Sequence, residues 1–219
     1  TALERYEEAI DMLHRCLLLA ETKQNPAGQS EIHGKLGNVY FLVGRFPCAI
    51  RALNRQLELT EAIGDVASTA ASYGNLGALY ALLNQDKKAI SMFRRHLSLA
   101  NELGDLVGQA QTFFNMATSF EKLHQTEKAI ECLRKAYRLI QHTDDSIGHA
   151  EAAGRLGRAL ISNGQLDQSI LFLTESLDLF EANGLLPQQG QTLQTVGMVS
   201  LAQSKYSKAL ESLTIYLVS

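Results

Sequence analysis

The chain has no tryptophan, three prolines and three cysteines in 219 residues. Cys16, Cys48 and Cys132 are an odd number at wide spacing, without a CxxC pair or a His/Cys cluster, so neither a disulfide framework nor a metal site is indicated. A reducing, cytoplasmic setting with no cofactor and no metal is the expectation. Neither sign of charge dominates: 23 Asp plus Glu oppose 20 Lys plus Arg for a net charge of −3, which leaves no electrostatic case for nucleic acid or an anionic membrane surface. No run approaches the ~20 apolar residues needed to span a bilayer, so no membrane segment is expected. Catalytic signatures are missing as well. The six histidines form no HExxH, and no GxSxG, phosphate-binding loop or dinucleotide glycine motif occurs, so no catalytic residues are assigned and the chain is read as a non-enzyme. The opening Thr1-Ala2-Leu3-Glu4-Arg5 lacks an initiator Met and a signal-peptide core, and reads as part of a longer protein.

What the chain does have is repetition. Steps of forty from Ala9 meet Ala49, Ala89, Ala129, Ser169 and Ala209. A second ladder runs Leu36, Leu76, Met116, Leu156, Val196, each followed by Gly37, Gly77, Ala117, Gly157, Gly197. Two more are Leu53, Phe93, Leu133, Leu173, Leu213 and Leu57, Leu97, Tyr137, Leu177, Leu217. Within each unit, apolar residues recur at three- and four-residue steps, as in Leu36, Tyr40, Val43, and strand-like alternation is absent, so the unit is two amphipathic helices. The short break falls at Gly44, Asn84, His124, Gly164 and Ser204, where Gly and Asn tolerate the left-handed turn that ends a helix, and Pro47 fits the first turn of the next. The longer break falls at Gly64-Asp65, Gly104-Asp105, Asp144-Asp145 and Gly184-Leu185, with Asp placed to cap. Small residues at Gly37 and Ala49, and at their equivalents, mark close helix crossings. Neither helix of a pair covers its own apolar face, so neighbouring pairs must stack.

The pattern Leu36-Gly37-x-x-Tyr40 followed by Ala49 and Leu53 resembles the tetratricopeptide repeat (TPR), and the resemblance covers essentially the entire chain. It implies an all-α fold, a right-handed TPR α-solenoid of antiparallel helix pairs. The expected layout is a single array over 1–219: a lone second helix at 3–23, then pairs at 27–63, 66–103, 106–143, 146–183 and 186–219. The usual Trp of the first helix is replaced by His33, Tyr73, Phe113, Ala153 or Leu193, and the Pro ending the second by Glu61, Asn101, Gln141 or Glu181. The forty-residue period, the Gly-Asp break and the run Ser72-Tyr73-Gly74-Asn75-Leu76-Gly77 are more similar to the LGN/Pins adaptors than to the 34-residue co-chaperone form. For that subgroup the resemblance implies a non-enzymatic scaffold holding an extended or helical segment of a partner protein in a concave groove. The alternative is a structural, self-associating array whose exposed ends stack.

In the geometry that the resemblance implies, the residues before the Leu-Gly ladder, Lys35, Asn75, Asn115 and Arg155, face the groove, as do Asn38 and Arg158 two residues after its Leu. Asn amides suit a peptide backbone, and Arg offers a bidentate fork to carboxylates, so a partner segment with acidic side chains is expected. Neither arginine lies on a packing ladder. Phe41 and Phe114 stand where the other repeats have Ala81, Glu121, Ile161 and Gly74, Gly154, Gln194, so packing does not demand an aromatic there and both are assigned to the groove. At the sites matching the co-chaperone clamp for acidic tails the chain has Gly34 and Asn38, Asn75, then Gln111 and Asn115. The amides survive and the cations do not, which argues against chaperone-tail binding. The three cysteines, beside the ladder, are expected to be buried thiols.

Overall fold

Except after Ile140, the links between helices contain a residue whose backbone turns left-handed. The computed structural model describes residues 2–202. Among them are ten helices and no strand: α1 (Ala2–Thr22), α2 (Pro26–Leu42), α3 (Phe46–Ile63), α4 (Val66–Leu82), α5 (Asp86–Glu102), α6 (Leu106–Lys122), α7 (Thr126–Ile140), α8 (Ser146–Ser162), α9 (Leu166–Ala182) and α10 (Leu186–Ala202). The φ angle is +74° at Gly44, +56° at Asn84, +55° at His124 and +74° at Gly164, so the short breaks of the sequence are the short links of the fold. Gly64, Gly104 and Gly184 end the second helices in the same conformation. Asp65 then accepts from the Ser68 N–H at 3.0 Å, and Asp145 from the Gly148 N–H at 2.8 Å, each capping the next helix. Hydrogen bonds from the Ser68 hydroxyl, first, and from its backbone N–H hold the Asp65 carboxyl below its usual pKa. Asn25 caps α2 in the same way through Gly28, a signal the repeat ladder does not contain.

Chain contacts divide the molecule into two compact units, Thr1–Asp105 and Leu106–Ser219. In the first, α2 packs on α3 and α4 on α5, with α1 against α2 and α3 against α4. Its core joins Ala49, Leu53, Leu76 and Leu79, with Tyr40, Ile50, Leu57 and Tyr80 around them. A second cluster joins Ile10, Leu36 and Ala52. In the second unit α6 packs on α7 and α8 on α9, α7 meets α8, and α9 meets α10. Ala129, Leu133, Leu156 and Leu173 form its buried ladder. Each such fully buried leucine contributes ~1.5–3 kcal/mol relative to exposure.

The helix crossings are as close as the small residues require. A Cβ added to Gly37 would stand 2.7 Å from the Leu53 side chain, one on Gly77 would stand 2.5 Å from the Phe93 ring, and one on Gly157 would stand 2.7 Å from Leu173. Three expectations need correction or placement. Only Cys132 is buried, whereas Cys48 is half-buried and Cys16 is exposed: α1 packs on α2, and Cys16 is not among the residues it buries there. The α7 helix stops at Ile140, before the expected 143, because Thr143 turns back onto the Ile140 carbonyl through both its N–H and its hydroxyl. The expected second helix ending at Ser219, with the Ser204 break, lies outside the described residues.

Candidate functional site

The residues predicted to contact a ligand lie on the first helix of each pair: α2 and α4 in the first unit, α6 and α8 in the second. In the first unit Lys35, Asn38 and Asn75 are exposed. Lys35 donates to Glu31 at 2.6 Å, a single helical turn away. The pairing raises the Lys35 pKa and lowers that of Glu31, since each favours the other's charged form. The amides of Asn38 and Asn75 have no hydrogen-bond partner among the described residues and keep both donor and acceptor available. Phe41 is 42 % exposed and leans on Phe46 with ring centroids 6.1 Å apart, so it presents an aromatic edge on the same helix as Asn38.

The second unit brings the remaining residues together. Gln111 donates to the Asn115 side-chain oxygen at 3.3 Å, one turn apart on α6. Arg155 reaches back from α8 to the Thr118 hydroxyl at 2.9 Å, and its guanidinium lies 4.7 Å from the centre of the Phe114 ring. Thr118 accepts this bond while donating its own proton to the Phe114 carbonyl at 3.1 Å. Phe114 is therefore not an open aromatic of the groove. It is only 7 % exposed, and a ligand would meet the cation that covers it. By the same contact Arg155 does pack, contrary to its absence from the ladders.

Arg158 lies one turn further along α8, beside Gly154. A Cβ at position 154 would approach the Ser176 hydroxyl to 2.9 Å and the Arg158 guanidinium to 3.4 Å, so glycine keeps this cleft open. The cleft has a volume of about 250 Å³; Glu151, Arg155 and Arg158 line it from α8, and Gln188, Gln191 and Thr192 from α10. Burial of the guanidinium, then the neighbouring charge of Arg155, push the Arg158 pKa down, with Glu121 opposing; it remains a cation. Neither arginine forms an ion pair among the described residues. Two guanidiniums thus share one open cleft without a carboxylate on either. Gln188, Gln191 and Thr192, which complete the cleft, escape the sequence reading because they belong to the next repeat, where the ladder is least regular. The described residues contain no group of three or more His, Cys, Asp or Glu able to hold a metal ion, and no helix long and apolar enough to cross a membrane.

Comparison with known proteins follows the same lines. The tetratricopeptide repeat family matches residues 28–102 and 108–182, and a further tetratricopeptide repeat form matches residues 1–27. No curated protein matches the chain by sequence. Among solved structures, BtubC (BKLC) from P. vanneervenii is similar with a TM-score of 0.80 at 21% identity, over 99% of this chain and 90% of that one. The apo form of RapI is similar with a TM-score of 0.77 at 17% identity, over 86% and 69%. A Rap protein in complex with competence and sporulation factor gives 0.62 at 18% identity, over 92% and 56%. At these identities the likeness shows the fold: all-α, of the helix-pair solenoid class.

Proposed function

Because the chain belongs to the tetratricopeptide repeat family, we propose that it is a non-enzymatic protein–protein interaction scaffold and that the α8 cleft receives acidic side chains of an extended partner segment. The observation that carries this reading is the pair Arg155 and Arg158, two cations in one cleft with no carboxylate partner. A ligand carboxylate would relieve their mutual repulsion and accept charge-assisted hydrogen bonds in partly desolvated surroundings. The free amides of Asn38 and Asn75, with the edge of Phe41, suit the main chain and an apolar side chain of a bound segment on the first unit. Gln111 and Asn115 are already bonded to each other and would exchange that bond for one to a ligand. The Rap protein that is similar in fold is seen with competence and sporulation factor, which supports a binding role for this architecture. The single array over 1–219, the kinship with LGN/Pins adaptors and a cytoplasmic setting belong to the same proposal. They rest on the forty-residue period and the unpaired cysteines.

The test uses a fluorescein-labelled, Asp/Glu-rich peptide of about twelve residues, long enough at ~3.3 Å per residue to cross several helices. Fluorescence anisotropy should show saturable binding that weakens with salt. The Arg155→Ala/Arg158→Ala double variant should lose about 2–4 kcal/mol of binding. Arg158→Ala alone should leave melting unchanged, whereas the double variant melts somewhat lower because Phe114 loses its cover. Equal affinity for wild type and the double variant would place the binding surface elsewhere.

A further inference from the structure

A second cleft, in the first unit between α3, α4 and α5, has a volume of about 290 Å³. That is the lower end of ligand-pocket sizes, ~300 Å³ upward, and suits a small molecule better than a helix or an extended chain. The Ser98 hydroxyl, beside Arg95 on α5, can donate or accept; the other polar side chains of the cleft are sorted by kind. Thr69, 6% exposed, donates its hydroxyl proton to the Asp65 carbonyl at 2.7 Å, so toward the cleft it offers only lone pairs, while Thr60 is fully buried beneath the cleft and spends its proton on the Leu57 carbonyl at 3.1 Å. Glu61 accepts the Tyr73 hydroxyl on one oxygen at 2.8 Å, and its other oxygen has no partner among the described residues. Arg95, across the cleft on α5, can only donate, and it has neither a hydrogen bond nor an ion pair among the described residues. Leu99 and the Tyr73 ring supply apolar wall.

The same location in the second unit, eighty residues on, shows how the fold satisfies a charge there from its own side chains. Arg95 becomes Glu175, Thr69 becomes His149 and Leu57 becomes Tyr137. Glu175 accepts from the Tyr137 hydroxyl at 2.8 and 2.9 Å, and His149 lies 3.1 Å from it. Gln141, in the place of Glu61, donates to the Tyr137 hydroxyl at 2.7 Å. In the first unit Leu57 has no polar group and the Thr69 hydroxyl is already bonded to the Asp65 carbonyl, and Arg95 is left facing an open cleft.

We propose that this cleft of the first unit binds a small zwitterion, an α-amino acid with an apolar side chain. Its carboxylate pairs with Arg95, its ammonium is held by Glu61 and the Thr69 hydroxyl oxygen, and its side chain lies on Leu99 and Tyr73. An acceptor-only wall facing a donor-only cation matches a ligand with a cationic donor at one end and an anion at the other. The site is independent of the arginine cleft on α8.

The test is calorimetric titration with L-phenylalanine and L-leucine, accompanied by the Tyr73 ring signals in NMR as a local reporter. Both amino acids should bind saturably within ~10 mM, as expected for so few contact atoms, and shift the Tyr73 ring. Phenethylamine, without the carboxylate, and the Arg95→Gln variant should each weaken binding about tenfold. The ammonium-free 3-phenylpropanoate and Glu61→Gln should weaken it comparably. Arg95 and Glu61 are both exposed, so neither change should disturb folding, and an unchanged helical circular dichroism melt verifies this. No saturable heat and no Tyr73 shift, or equal affinity in Arg95→Gln, overturns the site. Binding of 3-phenylpropanoate as tight as that of phenylalanine overturns the zwitterion.

Discussion

Tyr137 shows how a single side chain serves two purposes. Its ring packs against Phe172 with centroids 5.2 Å apart, while its hydroxyl donates to Glu175. Burial first, then the bond to Glu175 and its charge, raise the Tyr137 pKa from 10.0 to about 12. A pKa raised on folding means that the folded state holds the proton more tightly. The contribution to stability is therefore complete below the unfolded pKa of 10.0 and is lost as the pH rises toward 12. The difference in urea midpoint between wild type and Tyr137→Phe should change across that window, and Glu175→Gln should narrow the window without closing it, because burial remains. Midpoints that run parallel from pH ~9 to ~12 would contradict this assignment. The ring was legible in the sequence, since Tyr137 continues the ladder of Leu57 and Leu97. Its partner was not: the equivalents of Glu175 are Arg55, Arg95 and Lys135, and a carboxylate appearing once at that position has no repeat to announce it. Phe114 was misread for a related reason. The glycines at its equivalent positions suggested that packing ignores the site, but the packing partner is the guanidinium of Arg155, a residue type that hydrophobic ladders do not register.

At the scale of the helix, the glycines of α4 separate space from propensity. Replacing a helix-interior glycine by alanine gains ~1 kcal/mol of helix propensity wherever the methyl group fits. At Gly77 the new Cβ would stand 2.5 Å from the Phe93 ring, which is 1% exposed and fixed between α4 and α5. At Gly74 the nearest atom is on the half-buried His96 imidazole at 3.2 Å, a much looser approach than at Gly77. Gly77→Ala should therefore destabilise by about 1–2 kcal/mol net of propensity, and Gly74→Ala should be neutral or stabilising. Urea unfolding of the two variants decides it, and equal effects would mean that the crossing is looser than described. The crossings and breaks were the most legible part of the fold, because Gly37, Gly77 and Gly157 recur in strict register with the leucine or phenylalanine that each accommodates. The caps were legible where Asp follows Gly and not at Asn25, which precedes the first full repeat.

For the molecule as a whole, a net charge of −3 weakly repels an acidic partner at long range, so recognition must come from a local cation pair within a Debye length, ~8 Å at physiological salt. The repeat explains why such a pair can arise: the ladder fixes the helices, and the exposed face of each first helix is left to vary, from Lys35 and Asn38 to Arg155 and Arg158. That face was legible as a list of residues. Its division between two units, and the contribution of α10 to the arginine cleft, were not, because they depend on contacts between repeats. The most direct measurement is a charge exchange. Anisotropy should show that Arg155→Glu/Arg158→Glu abolishes binding of the acidic peptide and creates binding of a peptide in which Lys replaces each Asp and Glu, with both pairings weakened by salt. If the reversed protein retains the acidic peptide, or fails to take up the basic one while melting as a folded chain, the two arginines are not the binding site.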